Sequence, residues 1–338
     1  MADERPDIVK VTLKDIAART GFTINTVSWA LKNKEVISRD TRKLIQDTAQ
    51  EMGYISNTLA GALRTGVTKT IAVIVGDISN PHFGIMVKEI ENTAGNHGYN
   101  TFIINTEENC ELEETAVVSA IGKNVDGIIL CPAQKNAESI KILKRSGVPF
   151  VLIGRYFKEI ETDYVVCDDM KGGYLATKYL IDRGHDRIIF LNGSGYISSA
   201  MERREGYCRA LTEAGIEIDE GLIREVSIKS GDCRRVLKKV TDSGIKFTAV
   251  FAFSDMIAWE AIYTLSRMGL RVPEDIAVVG FDNIQSRLFF PFPLTSVCTS
   301  KSRMSRRSVD VLLNRINNPG DKVITDVIDT RLVIRSST

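Results

Sequence analysis

The chain has 338 residues, 43% of them hydrophobic and 26% charged, an ordinary globular balance at a length that suits two or three domains. These values exclude a disordered tail, a collagen-like chain and a small disulfide scaffold. No apolar run approaches the ~18 residues that span a bilayer, and the opening MADERPDIVK lacks the apolar stretch of a secretory signal, so a cytoplasmic protein is expected.

The net charge of +1 conceals an asymmetry. Residues 10–69 hold 10 Lys/Arg against 5 Asp/Glu, whereas residues 70–338 hold 33 against 35. The basic excess sits in one short block, which points to a polyanionic partner there. The six cysteines never approach within 20 residues of one another, and there are only three histidines. No zinc-ligand spacing results. No cofactor or metal is expected. No GxSxG, HExxH or Walker pattern occurs, so an enzyme would have no visible nucleophile.

In chain order, the first ~65 residues read as helices alone. Leu13, Ile16 and Ala17 recur at helical spacing, with Thr12 placed as cap and Asp15 as its capping-box partner. Gly21 breaks that helix. Thr23 caps the next, whose Ile24, Val27, Ala30 and Leu31 are expected to face inward. A third helix follows Ser38, carries Leu44, Ile45, Thr48, Ala49 and Met52, and ends at Gly53. Residues 57–64 have helical character over only two turns, too little for independent stability.

After Thr70, short apolar runs alternate with amphipathic stretches. Strands are expected at 71–75, 101–105, 127–130, 150–154, 164–166, 188–191, 249–253 and 277–281. Helices are expected at 82–97, 111–123, 136–146, 171–184, 200–215, 231–243 and 255–268. Runs without polar alternation suit parallel strands covered on both faces, and strands that alternate with helices give parallel sheets. The units are too numerous for one sheet. Two doubly wound sheets of about five strands with a cleft between them are expected, with ligand groups at the carboxyl ends of strands.

Two segments carry chemistry. VTLKDIAARTGFTINTVSWALKNK reads as helix, short turn, helix, the pattern of a DNA-reading unit or of a plain helical hairpin. In the first case Ile24, Asn25, Ser28, Trp29 and Lys32 form the outward face, and Asn25 can pair with adenine through two hydrogen bonds. In the second half, polar residues just past strand ends are candidates for a small-molecule site: Asp77, His82, Phe83, Arg155, Asp168, Ser199, Arg203, Ser254 and Asp282. Carboxylates, arginine and an aromatic without a basic cluster suit a polyhydroxylated neutral ligand. Asp169 and Asp255 read as either helix caps or ligands. NGSG at 192–195 lacks the third glycine of a dinucleotide site, and KSRMSRR at 301–307 reads as a helix with Met304 and Val311 turned inward.

The run from TLKDIAARTGFTINTVSWALKNK to TIAVIVGDISNPHF, followed by VDGIIL, VPFVLIGR, LIDRGHDRIIFL, ERREGY, SDMIAWEAI, GLRVPEDIAVVGFDN and PLTSV, resembles the lactose/galactose repressor (LacI/GalR) family over nearly the whole chain. The resemblance implies an N-terminal all-α helix-turn-helix domain (1–56), a hinge helix and linker (57–69) and an α/β periplasmic-binding-protein-like core of two doubly wound parallel-sheet subdomains (70–338). Its lobes would be about 70–166 with 298–325, and 167–297 with 326–338. It further implies a homodimeric transcription regulator on a near-palindromic double-stranded operator, associated with the nucleoid when bound. A repressor of carbohydrate genes with a sugar effector is expected. The alternatives are a nucleobase or other non-sugar effector, or a cytoplasmic sugar-binding or sugar-modifying protein.

Residue by residue, the resemblance places DNA contacts at Thr12, Thr23, Ile24, Asn25, Thr26, Ser28, Trp29, Lys32, Asn33, Tyr54 and Asn57, with Leu63 as the wedge into the minor groove. It places effector contacts at Asp77, Phe83, Arg155, Arg203, Ser254 and Asp282. The chain departs from the family's common pattern at Trp29, where a polar group is usual, at Ser56 for proline, at Gly61 for a basic residue and at Ser254 for asparagine.

Overall fold

The computed structural model describes residues 11–55, 66–227, 231–288 and 292–338. The hinge segment with Ser56, Asn57, Gly61 and Leu63 lies outside the described residues. The chain divides into two compact units, residues 1–68 and 69–338.

The first unit holds α1 (Leu13–Thr20), α2 (Ile24–Leu31) and α3 (Arg39–Glu51). Thr12 and Asp15 form the reciprocal capping box: Thr12 N donates to the Asp15 carboxylate at 2.8 Å. Gly21 ends α1 at φ 73°, a left-handed angle at which a Cβ would be strained. Thr23 and Ser38 cap α2 and α3. Ile16, Val27, Ala30, Ile45 and Ala49 make the core. Ile24 and Leu44 do not join it, being 48% and 52% exposed. Ile24 falls in the first turn of α2, at the edge of the face that carries Val27 and Ala30, so its apolar character does not secure it a buried place.

Among its described residues the second unit contains two six-stranded sheets rather than five-stranded ones. In chain order the first lobe runs β1 (Thr70–Val75), α4 (Pro81–Asn96), β2 (Asn100–Asn105), α5 (Cys110–Gly122), β3 (Gly127–Leu130), α6 (Glu138–Ser146), β4 (Phe150–Ile153) and β5 (Tyr164–Cys167). The second lobe runs α7 (Asp169–Asp182), β6 (Ile188–Asn192), α8 (Ser198–Glu213), β7 (Ile223–Glu225), α9 (Asp232–Asp242), β8 (Ala249–Ala252), α10 (Asp255–Arg267), β9 (Ala277–Asp282) and β10 (Thr295–Cys298). The chain then returns to the first lobe for α11 (Lys301–Asn317) and β11 (Thr325–Ile328), and crosses once more for β12 (Arg331–Val333).

The sheet orders are β11-β5-β4-β3-β1-β2 and β12-β10-β9-β8-β6-β7. All neighbours are parallel except β12, which is antiparallel to β10. The last crossing follows Ile328 and not residue 325, because all of β11 pairs with β5. The strands without a clear sequence signal are β7, β10, β11 and β12: IRE, TSVC, TDVI and RLV are short and carry polar residues. Met304 and Val311 of α11 are buried against the first sheet, as their spacing predicts. Among the described residues no helix is long and apolar enough to cross a membrane.

Candidate functional site

The helix-turn-helix presents an exposed face of mixed polar and apolar residues. Ile24, Asn25, Trp29, Lys32 and Asn33 are exposed, Trp29 at 46%, and Ser28 and Thr26 are half-buried beside them. Thr23 and Thr26 hydroxyls bond each other at 2.9 Å at the start of α2. Asn33 adopts φ 55° and accepts from Gln46 at 2.8 Å, so it shapes the turn that leaves α2. Tyr54 packs against the unit's core at the end of α3, and Thr12 is exposed at the start of α1. Asn25 is exposed near the start of α2. Helix N-termini with threonine caps are ready phosphate sites.

In the second unit the two lobes enclose a cavity of about 50 Å³. From the first lobe it is lined by His82, Phe83, Glu108 and Arg155, and from the second by Ser199, Arg203, Phe253, Ser254 and Asp282. Seven of the nine residues expected there from the sequence therefore converge. Asp77 and Asp168 do not. Asp77 accepts from Ser79 N at 2.9 Å and Ser79 Oγ at 2.6 Å, so it closes its own turn. Asp168 caps α7 by accepting from Lys171 N at 2.9 Å.

The charges of the cavity are paired. Arg155 donates to both oxygens of Glu108, at 2.6 and 3.0 Å, and to Pro132 O at 2.9 Å. Burial alone would make that guanidinium less basic, but the Glu108 carboxylate outweighs it and holds the proton more tightly. Arg203 donates from Nε to Asp169 at 2.7 Å and from Nη1 to the carbonyl of Phe253. Its guanidinium lies between the rings of Phe281 and Phe253, 3.5 and 4.3 Å from their centroids. Burial raises the Asp169 carboxyl above its usual range despite Arg203. His82 Nδ1 stands 3.1 Å from Asp282 Oδ1. Burial pushes the Asp282 carboxyl upward, but His82, Arg203 and Lys301 together outweigh it, and the group ends below its usual value.

Asp282 stands in a strained backbone, at φ 106° with Asn283 at 50°. Four contacts fix that bend. Asn283 N donates to Ser296 Oγ at 2.9 Å, Ile284 N to Asp255 at 2.7 Å, Arg335 to Asn283 Oδ1 at 2.7 Å, and Lys301 to the carbonyl of Asp282.

Two pairs of neighbours follow one rule here. Asp168 and Ser254 are the caps of α7 and α10, while Asp169 and Asp255, next in sequence, turn inward to Arg203 and to the Asp282 bend. The reading of Asp169 and Asp255 as caps is therefore displaced by one residue. Ser254 combines cap and lining, accepting from Ile257 N at 3.3 Å. Glu108 and Phe253 were absent from the sequence candidates. Phe253 closes the run AVFAF and Glu108 lies just past the TFIIN run, so the strand-end rule that selected the others also covers them.

A model described as bacterial regulatory proteins of the lacI family matches residues 12–57, and one described as periplasmic binding proteins and sugar binding domain of the LacI family matches residues 68–335. The chain is 34% identical over 327 residues to the HTH-type transcriptional repressor PurR of Pasteurella multocida strain Pm70, covering 96% of this chain and 98% of that protein. Among solved structures it is similar to the transcriptional regulator CelR in complex with cellobiose, at 28% identity and TM-score 0.74, covering 97% of this chain and 100% of the other. The Lac repressor dimer bound to operator and the anti-inducer ONPF shares its fold, at TM-score 0.87 and 24% identity over 97% of this chain and 99% of the other. With a helix-turn-helix unit at one end and a two-lobed cavity in the remainder, the chain belongs to the LacI family and is a DNA-binding transcriptional repressor with a small-molecule effector.

Proposed function

We propose that the effector is a neutral carbohydrate, bound between the lobes, and that the repressor acts as a homodimer on a near-palindromic operator, in the cytoplasm and at the nucleoid, without catalytic activity of its own. The observation that carries the effector class is the pairing of charges in the cavity. Glu108 neutralises Arg155 and Asp169 neutralises Arg203. An anionic ligand would have to displace a carboxylate from its arginine, whereas hydroxyls can share the hydrogen bonds of Asp282, Ser199, Ser254 and His82. Phe83 and Phe253 supply apolar faces for the ring carbons. The likeness to a cellobiose-bound regulator supports the same class.

On the DNA side, Asn25 and Trp29 read bases from α2, Ile24 and Ser28 flank them, and Thr12, Thr23, Thr26, Lys32, Asn33 and Tyr54 hold or position phosphates. A second reading, a planar nucleobase, is favoured by the small cavity with aromatic side chains from both lobes.

Calorimetry on the full chain distinguishes the two, with cellobiose, ribose, hypoxanthine, guanine and glucose 6-phosphate as titrants, each with and without an operator selected from random DNA. A neutral sugar is expected to bind and to change affinity when operator is present, since linkage between two sites is reciprocal. Binding of a nucleobase alone would transfer the assignment to the second reading, and binding of the phosphate ester alone would end the neutral-ligand argument.

A further inference from the structure

Helix α8 carries two cavity residues, Ser199 and Arg203, yet its own sequence does not cap it. Its N-cap is Ile197, which has no side-chain acceptor, and its first amides have no partner within the helix. The partner comes from the other lobe. Gln134, buried in the loop after β3 at φ 66°, accepts through Oε1 from Ser198 N at 3.0 Å and from Ser198 Oγ at 3.2 Å. The same Gln134 donates from Nε2 to Tyr156 O at 2.7 Å. Tyr156 N returns a bond to Ser198 Oγ at 3.2 Å, and Tyr156 OH donates to Glu202 at 2.5 Å, one turn along α8. Stacking on Tyr164, 4.5 Å between centroids, holds the Tyr156 ring in place.

We propose that Gln134 and Tyr156 are positioning residues for the effector site: they cap α8 from the opposite lobe, and so tie the closing of the cleft to the placement of Ser199 and Arg203. The clasp consists only of protein groups. Opening the cleft exposes the first amide of α8 and the Gln134 side chain together, so neither lobe can release the clasp alone. A ligand that favours a different angle between the lobes would have to work against it, which makes the clasp a set point for the switch. The inference rests on the effector reading for its purpose, while its test involves neither ligand nor DNA.

Hydrogen–deuterium exchange on the full-length protein reads the clasp directly. Gln134→Ala should raise exchange in residues 198–203 and in residues 154–158 together, by about five-fold, the factor that loss of one helix cap produces. Gln134→Glu keeps an acceptor at the same point and should restore protection of 198–203. Tyr156→Phe removes one hydroxyl, leaves the stacked ring, and should raise exchange in 198–203 by a smaller factor, which keeps the test usable if the alanine variant does not fold. Exchange in 198–203 that stays at the native rate in Gln134→Ala or in Tyr156→Phe, or that Gln134→Glu fails to restore, overturns the proposal. Such a failure leaves the repressor and effector assignments standing.

Discussion

At the scale of single residues the site is a set of acidic side chains sorted by environment. Asp282 is held below its usual range by His82, Arg203 and Lys301 despite its burial. Asp255, one layer behind, is raised from 3.8 to about 7 by burial and by the charge of Asp282, against the hydrogen bonds from Ser296 and Ile284 and the charge of Lys301. A folded-state value raised above the unfolded one favours the fold while the carboxyl is protonated, and folding is penalised once the buried group must ionise. That contribution is complete below pH 3.8 and is lost as pH rises to about 7. Asp255→Asn keeps the shape and cannot ionise. The melting temperature of the native protein relative to this variant should therefore fall between pH 4 and 7 and level off above. A difference independent of pH would show that Asp255 stays ionised throughout.

At the scale of elements, the placement of Arg203 depends on how closely α7 and α8 cross. Gly173 of α7 faces the carbonyl of Arg203, and Gly206 of α8 faces the carbonyl of Met170; a Cβ at either position would overlap that backbone. The close crossing brings Asp169 on α7 within 2.7 Å of Arg203 on α8. Backbone cannot give way as a flexible side chain does, so Gly206→Ala should separate the helices and destabilise the core by roughly 1–3 kcal/mol or more. Chemical denaturation should show a lower midpoint, and effector affinity should drop as the pair loosens. An unchanged midpoint would mean the helices can part without cost.

At the scale of the whole molecule, the chain is two units with separate cores, Ile16–Val27–Ala30–Ile45–Ala49 in one and the paired sheets in the other. The sheet unit buries its own apolar residues between its own sheets and helices, separately from the core of the N-terminal helices. Removing residues 1–65 should leave a folded, ligand-binding core with no specific affinity for operator, checked by circular dichroism, calorimetry and gel retardation. The full chain should bind with affinity that falls steeply as salt rises, because phosphates are neutralised. Specific retardation by the truncated core would refute the assignment of the reader to the N-terminal unit.

The sequence by itself determined the helices of the first unit and the eight longer apolar strands with the helices between them, in order, but not the short strands β7, β10, β11 and β12. Apolar runs such as IAVIV and AVFAF mark strands because both their faces are covered, and Thr12, Thr23 and Ser38 mark helix starts because their oxygens satisfy amides that the helix leaves bare. The strand-end rule also found seven cavity residues, since strand ends of such sheets meet at the cleft. Only the tertiary structure decided that Asp169 and Asp255 turn inward while their neighbours Asp168 and Ser254 cap, that Glu108 neutralises Arg155, and that Gln134 caps a helix 64 positions away. These are contacts between segments distant in sequence, and their partners are fixed by packing and backbone direction. No local periodicity records either one.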